Sequence, residues 1–221
     1  MRACLFSGGK DSTLALHKAS KDGNVDFLIT MLSENEDSYM FHKPNINFTK
    51  LQAEAMGIEH KIFKTKGEKE LELADLEKAL VENNVTELVT GATSSEYQKS
   101  RIDKLCSDHG IKHIAPLWHI NPAEELEEIS RDYYAIITKV AAEGLDDTYL
   151  GARIDNSMIE KLKLLNQKYG VNMLFEGGEA ESFVLDAPLF KKRIKIEKAQ
   201  KKWDGFVGFY TIEDAVLVSK Y

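Results

Sequence analysis

The residue types best suited to chemistry stand near the start of the chain, in the segment Ser7-Gly8-Gly9-Lys10-Asp11-Ser12. An apolar run precedes this segment and a helical pattern follows it. Two adjacent glycines let a backbone approach an anion closely. The start of a helix offers unpaired N–H groups and the positive end of the helix dipole, while Lys10 adds a mobile charge. The segment therefore predicts a phosphate-binding loop between a strand and a helix.

Spacing excludes two other phosphate-binding motifs. A Walker A loop needs four residues between its first glycine and Gly-Lys-Ser/Thr, and the Gly-x-Gly-x-x-Gly dinucleotide fingerprint is absent. Ser-Gly-Gly-x-Asp-Ser instead resembles the PP-loop of ATP pyrophosphatases, which holds the two phosphates that leave as pyrophosphate. The resemblance implies that Lys10, Asp11 and Ser12 act in catalysis with ATP, and that Asp11 lies beside a Mg²⁺ ion. The alternative is a glycine turn with a helix cap.

Four further segments narrow the resemblance to one family. They are residues 38–42, 91–101, 139–146, and 176–182 with 186–188. Together they resemble the diphthine–ammonia ligase family in its short archaeal-type form, from Leu5 to about Trp203. The resemblance implies an enzyme that converts diphthine, a modified histidine on elongation factor 2, to diphthamide. It would use ATP and ammonium through an acyl-adenylate, and release AMP and pyrophosphate.

The segment around residue 176 departs from the family pattern, which is Gly-Glu-Gly-Gly-Glu-aromatic-Glu-Thr. Phe175 replaces the leading glycine, Ala180 the aromatic residue and Ser182 the threonine. Because a phenylalanine does not easily adopt the positive φ of a glycine, we expect this loop to begin in a different conformation. The three glutamates of the pattern are retained.

The family resemblance, together with the positions of the strand ends, implies the ligand contacts. For the nucleotide they are Ser7, Gly8, Gly9, Lys10, Asp11, Ser12, Thr30, Met31 and Gly91. For the modified histidine and ammonium they are Tyr39, Phe41, His42, Tyr97, Gln98, Arg101, Glu176, Gly177, Gly178, Glu179 and Glu181. Diphthine carries a quaternary ammonium, which aromatic faces and carboxylates recognise. The competing interpretations are ordinary strand packing, a turn glycine, and a glycine-rich hairpin with solvated acids.

Tyr97, Gln98 and Arg101 lie three or four residues apart, so they share one face of a predicted helix. A guanidinium near the end of a strand can hold a phosphate or carboxylate with two parallel hydrogen bonds. The alternative for Arg101 is a surface salt bridge with Glu96 or Asp103.

Short apolar runs and helical patterns alternate through the first half of the chain. Strands are predicted at 3–6, 27–32, 60–63, 87–91 and 111–115, and helices at 11–21, 48–56, 71–81 and 97–109. This order predicts an α/β fold with a parallel, doubly wound sheet, and the resemblance implies the adenine nucleotide alpha hydrolase-like form of it. Such sheets bind ligands at the carboxyl ends of their strands.

The pattern changes after Pro116. Helices are predicted at 124–131 and 159–169, and strands at 135–140, 183–185, 194–199, 206–210 and 216–219. We therefore expect an ATP-binding domain over residues 1–120 and a smaller α/β lobe that binds the substrate over 121–221.

Composition restricts the partners. The formal charge is −7, from 29 basic and 36 acidic residues, whereas nucleic-acid binders usually carry a basic stripe. Two cysteines are too few for a disulfide framework, and neither a signal sequence nor a membrane-spanning apolar run occurs. These features predict a cytoplasmic protein without nucleic-acid or membrane partners, and they are compatible with a homo-oligomer.

Two other functions stay open on the sequence alone. One is another PP-loop enzyme, such as a tRNA-modifying ligase or thiolase, although the acidic balance and the lack of a Cys-x-x-Cys pair disfavour it. The other is a non-catalytic nucleotide sensor, because a fold does not fix a function.

Overall fold

A computed structural model describes residues 1–34, 45–68 and 71–220. Its first half, which we call the first lobe, alternates strands and helices as the apolar pattern predicts. The strands are β1 (Arg2–Leu5), β2 (Phe27–Ser33), β3 (Glu59–Thr65), β4 (Glu87–Val89) and β5 (Lys112–Ile114), and the helices are α1 (Lys10–Asp22), α2 (Thr49–Met56), α3 (Leu71–Glu82) and α4 (Glu96–Asp108). The predicted elements of this half are therefore confirmed to within a few residues.

The five strands form one parallel sheet in the order β3-β2-β1-β4-β5. The direction of strand succession reverses between β1 and β4, and such a reversal opens a crevice at the carboxyl ends of the strands. The Ser-Gly-Gly segment follows β1, and Gly91 follows β4. Both predicted nucleotide-binding segments thus lie at this crevice.

Apolar side chains cover both faces of the sheet. Cys4 and Leu28 belong to one buried cluster, and Ala3, Phe27 and Ile29 belong to another, in which α3 and α4 pack. Burial on both faces is expected for parallel strands enclosed by helices. The parallel, doubly wound α/β sheet is confirmed.

The part that follows β5, which we call the second lobe, contains a four-stranded antiparallel sheet in the order β7-β6-β9-β8. Its elements are α5 (Pro122–Asp132), β6 (Tyr134–Val140), α6 (Asn156–Tyr169), β7 (Ala180–Asp186), β8 (Arg193–Trp203) and β9 (Gly208–Val218). One hydrophobic cluster includes residues of both lobes, among them Leu14, Leu126 and Phe183. Helix α1 therefore packs directly against the second lobe.

The prediction of two strands at 206–210 and 216–219 was wrong, because β9 is continuous. Exposed Glu213 and Asp214 interrupt the apolar pattern, and the register with β8 shifts beside them, but the strand continues through both residues. Phe206 instead belongs to the hairpin turn, where its N–H donates to Asp204 Oδ1 at 2.8 Å.

Two general features of the described residues bear on environment. Cys4 and Cys106 are both buried, and neither forms a disulfide. Across the described ranges, every helix falls short of the length and apolar content that a membrane crossing requires.

Candidate active site

At the first turn of the loop after β1, the backbone conformation and the available space allow only glycine. Gly8 has φ 79°, and a Cβ added there would lie 2.3 Å from Gln52 Oε1. Its carbonyl accepts two hydrogen bonds, from Gln52 Nε2 at 2.9 Å and from Val184 N–H at 3.0 Å. One donor comes from α2 and the other from β7, so both lobes fix this peptide.

A serine of the second lobe caps the start of α1. The N-cap residue, Gly9, has no side chain to accept a bond from the first turn, and the Lys10 N–H donates instead to Ser182 Oγ at 3.1 Å. Within the loop, Ser12 Oγ donates to the Gly9 carbonyl at 3.2 Å and accepts from the Ser7 N–H at 3.3 Å. Serine and threonine share the hydroxyl, so the departure at position 182 preserves this contact.

The side chain of Lys10 lies in the interface between the lobes. Its ammonium donates to the Asp11 carboxylate, to Glu125 Oε1 at 3.3 Å and to the Leu174 carbonyl at 3.0 Å. The side chain is 1% exposed. Burial acts to lower the pKa of Lys10, but the neighbouring carboxylates, Asp11 first, outweigh it and the pKa lies above its ordinary value.

The buried partner of Lys10 has an unusual protonation equilibrium. Burial raises the pKa of the Glu125 carboxyl to about 8, against the opposing charge of Lys10. A carboxyl removed from water favours its neutral form. Burial therefore favours the neutral form of Glu125, beside the ion pair of Lys10 and Asp11.

Asp11 can serve a metal only together with other ligands. Its side chain is 32% exposed, and its Oδ1 accepts from Lys10. Among the described residues, no group of three or more His, Cys, Asp or Glu side chains could hold a metal ion. Mg²⁺ beside polyphosphate is commonly held by one or two carboxylates, phosphate oxygens and water. One carboxylate at the mouth of a phosphate loop fits that pattern.

The predicted strand-end residues are tied into the sheet. Thr30 Oγ1 donates to the Phe6 carbonyl at 2.7 Å and shares a 2.8 Å hydrogen bond with His60 Nε2. Met31 is buried in the core at 2% exposure. Any contact of these two residues with a nucleotide would therefore come through their backbone.

Gly91 lies against the first turn of α1. A Cβ there would be 2.8 Å from both the Asp11 carbonyl carbon and the Ser12 nitrogen. Because backbone atoms cannot swing aside, this position requires glycine. The carboxyl end of β4 and the phosphate loop are thus in direct contact.

Phe175 adopts the backbone conformation expected of the glycine that it replaces. Its φ is 66°, so the expected change of conformation at the start of this loop was wrong. Its N–H donates to the Asn172 carbonyl at 3.0 Å, and its carbonyl accepts from the Gly178 N–H at 3.1 Å. The ring is 7% exposed, with the Lys10 ammonium 5.8 Å from its centre. Tight turn bonds and burial of the ring offset the strained dihedral.

The glutamates of this loop have different neighbours. Glu176 accepts from the hydroxyls of Thr93 and, at 3.3 Å, Ser94, which links the loop to the segment after β4. Glu179 accepts from the N–H groups of Asn172 at 3.2 Å and Gly177 at 2.8 Å. Gly178 has φ 82°. Glu181 is the second residue of β7. Glu176 thus joins two motifs, whereas Glu179 shapes its own loop.

The predicted residues of α4 share a face. The Arg101 guanidinium lies 4.7 Å from the centre of the Tyr97 ring, and Ser95 caps the helix by accepting from the Gln98 N–H at 3.4 Å. Asp103, one salt-bridge partner considered for Arg101, accepts instead from Lys99 and His113. Three further predicted substrate contacts lie outside the described residues: Tyr39, Phe41 and His42.

Three residues that shape this site were not predicted from the sequence: Gln52, Thr93 and Glu125. Gln52 and Glu125 occupy ordinary helical positions, and Glu125 looks like any first-turn acid after the Asn121 cap and Pro122. Thr93 lies in the segment 91–101, on which the family resemblance partly rests, so its role could have been predicted. No nearby sequence feature distinguishes Gln52 and Glu125 from solvent-exposed residues of the same helices.

A glycine-containing loop at the reversal point of a parallel α/β sheet is typical of nucleotide-binding proteins. Family models described as the diphthamide synthase N-terminal domain and C-terminal domain match residues 1–113 and 121–218. The chain belongs to the diphthamide synthase family.

Named relatives agree with this assignment. Diphthine–ammonia ligase of Bos taurus is 35% identical over 223 residues, which span 90% of this chain and 83% of that protein. The Homo sapiens protein of the same name is 34% identical over 90% of this chain and 83% of its own length. A predicted tRNA methyltransferase subunit from Methanocaldococcus jannaschii, 18% identical over 85% of this chain and 98% of its own, superposes with a TM-score of 0.45. That structural likeness is too weak to bear on the activity.

Proposed function

We propose that this protein is an ATP-dependent ligase that amidates diphthine on elongation factor 2 with ammonium. The observation that carries the proposal is the direct bonding of the phosphate loop to β7, by Lys10 N–H to Ser182 and by Val184 N–H to Gly8. Strand β7 continues from the loop that carries Glu176 and Glu179. A nucleotide in the phosphate loop and a substrate beside the glutamates would therefore share one site.

The phosphate loop is suited to activating a carboxylate. Ammonia does not displace the oxygen of a carboxylate readily, whereas an adenylate is a good leaving group. Ser7, Gly8, Gly9 and the start of α1 would hold the phosphates that depart as pyrophosphate, with the backbone at Thr30, Met31 and Gly91 beside the nucleoside. Asp11 would hold Mg²⁺, which when bound neutralises charge on the pyrophosphate. Such preorganised donors are worth about 10²–10³ in rate each.

The acidic loop is suited to the cationic substrate. Glu176, Glu179 and Glu181 would face the quaternary ammonium of diphthine or the incoming ammonium, with Gly177 and Gly178 shaping the turn. Tyr97, Gln98 and Arg101 would contact the protein substrate from α4. Elongation factor 2 works in the cytoplasm, where we place the reaction, and the two unpaired cysteines suit that reducing compartment.

The test is pyrophosphate release in the presence of ATP, ammonium and elongation factor 2 that carries diphthine. We expect no release without ATP or without the protein substrate. Without ammonium, the adenylate should form once on each enzyme and release should then stop, so sustained release needs all three. Release that does not require the protein substrate would contradict the proposal. Tight binding of tRNA at low salt, measured on filters, would favour a tRNA-modifying enzyme instead.

A further inference from the structure

The ammonium of Lys10 is held by three acceptors. A lysine ammonium has three donors, and here they meet the Asp11 carboxylate, Glu125 Oε1 and the Leu174 carbonyl. Lys10 is 1% exposed and Glu125 is 0% exposed. This set of contacts fixes the position of the ammonium among α1, α5 and the loop before Glu176.

Stability alone is a weak reason for such a cluster. Buried ionic groups are often replaced by apolar residues of similar volume without loss of stability. Glu125 Oε2 is buried and meets no hydrogen-bond partner in the part of the chain that the structure describes, which adds a desolvation cost. A role in arranging its neighbours is an alternative reason for such a cluster.

The neighbour that this cluster arranges is Asp11. Lys10 and Asp11 are adjacent in the first turn of α1, and the ammonium donates to Asp11 Oδ1. We propose that Glu125 is a positioning residue, which acts through Lys10 to orient the Asp11 carboxylate for the Mg²⁺ of a bound nucleotide. The inference rests on the proposed function, in which Asp11 holds that ion. In this arrangement Lys10 itself serves the carboxylate rather than the phosphate.

The experiment measures the binding of nucleotide rather than turnover. The probe is an ATP analogue with a methylene group in place of the α,β-bridging oxygen, titrated by calorimetry with saturating Mg²⁺ and with a chelator. The ratio of the two dissociation constants is the magnesium enhancement. Hydrogen-bond partners of metal ligands commonly contribute about 10–100-fold to metal affinity. We therefore expect Glu125→Leu to lower the magnesium enhancement by about tenfold.

Two matched variants separate positioning from packing. Glu125→Gln retains a carbonyl acceptor of the same shape, so it should keep the wild-type enhancement. Glu128→Leu removes a different contact between α5 and α1, the 2.8 Å ion pair with Lys18, and should also keep it. Thermal unfolding of each variant checks the fold. An effect on folding alone would lower the melting temperature of Glu125→Leu without changing the enhancement.

A second pair of variants tests whether Glu125 acts through Lys10. Lys10→Met should lose the enhancement to the same extent as Glu125→Leu, and the double variant should agree with either single variant within about twofold. A wild-type enhancement in Glu125→Leu, or additive losses in the double variant, would overturn the inference. If elongation factor 2 is not amidated but the enhancement behaves as expected, the ligase proposal fails separately.

Discussion

At the scale of single residues, the acidic loop depends on one phenylalanine in a left-handed conformation. A non-glycine residue costs about 1–2 kcal/mol in that region, and Phe175 tolerates it because its ring is buried against the Lys10 side chain. Replacing the ring also removes packing, which costs about 3–5 kcal/mol for a buried phenylalanine. The strain can therefore be isolated only by comparing two small residues at the same position.

We expect Phe175→Gly to be more stable than Phe175→Ala by about 1 kcal/mol, with both less stable than the wild type. Chemical unfolding measures the difference. Leu164, which is 65% exposed in α6, provides the control because its backbone is helical. There the order should reverse, with alanine more stable than glycine by about 1 kcal/mol. Equal stability of the two Phe175 variants would mean that the loop carries no strain.

The loop after β1 was found from sequence because strand, glycines and helix are contiguous, so local pattern and local chemistry agree. Gly91 was also predicted as a site residue. The physical reason for glycine there was not predicted: a Cβ would lie 2.8 Å from the backbone of α1. Phe175 was recognised as a departure, and its conformation was misjudged. The hydrogen bonds and burial that hold a positive φ come from residues that the pattern does not connect.

At the scale of elements, β7 completes the start of α1. Helix α1 begins at a glycine that cannot cap it, and Ser182 supplies the missing acceptor from the other lobe. An N-cap acceptor is worth about 1 kcal/mol. The same bond fixes the direction of the first amide of α1, where the phosphate loop ends, so its loss should affect function as well as stability.

Ser182→Ala should lower the free energy of unfolding by about 1 kcal/mol and weaken binding of the methylene ATP analogue. Ser182→Thr should restore both, because threonine keeps the hydroxyl. Chemical unfolding and calorimetry measure the two effects. The control is Ser130→Ala in α5, which removes an exposed hydroxyl that bonds Glu127 and Asn156 far from the loop. Full binding by Ser182→Ala would show that the loop holds its shape without this cap.

The elements themselves were largely predictable, and the exception is informative. The first lobe follows a strict alternation of buried strands and amphipathic helices, which periodicity detects. Strand β9 was divided in two because Glu213 and Asp214 break the apolar pattern in a hairpin that is exposed on one side. The hydrogen bonds between β7 and the phosphate loop cannot be predicted from the spacing of apolar residues.

At the scale of the whole molecule, the two lobes meet around Glu125, a buried acid that no sequence motif predicted. Glu125 and Lys10 are 115 positions apart, and their contact exists only because α5 packs on α1. The ordinary pKa of a glutamate is 4.5, and burial raises that of Glu125 to about 8. Between these values the folded protein keeps a proton on Glu125 that the unfolded chain has lost. Stability from this group therefore falls as pH rises through that window.

We expect the wild type to lose stability relative to Glu125→Gln between pH 5.5 and 7.5, by about 1.4 kcal/mol per pH unit at most. The slope is negative because the native state binds more protons than the unfolded state, and glutamine removes that difference. Chemical unfolding of both proteins across this range measures it, and the comparison cancels the titration of the histidines. Glu128→Gln, on the same helix, should track the wild type instead. Parallel curves for the wild type and Glu125→Gln would mean that Glu125 is already ionised in the folded protein, and that Lys10 then lies between two charged carboxylates.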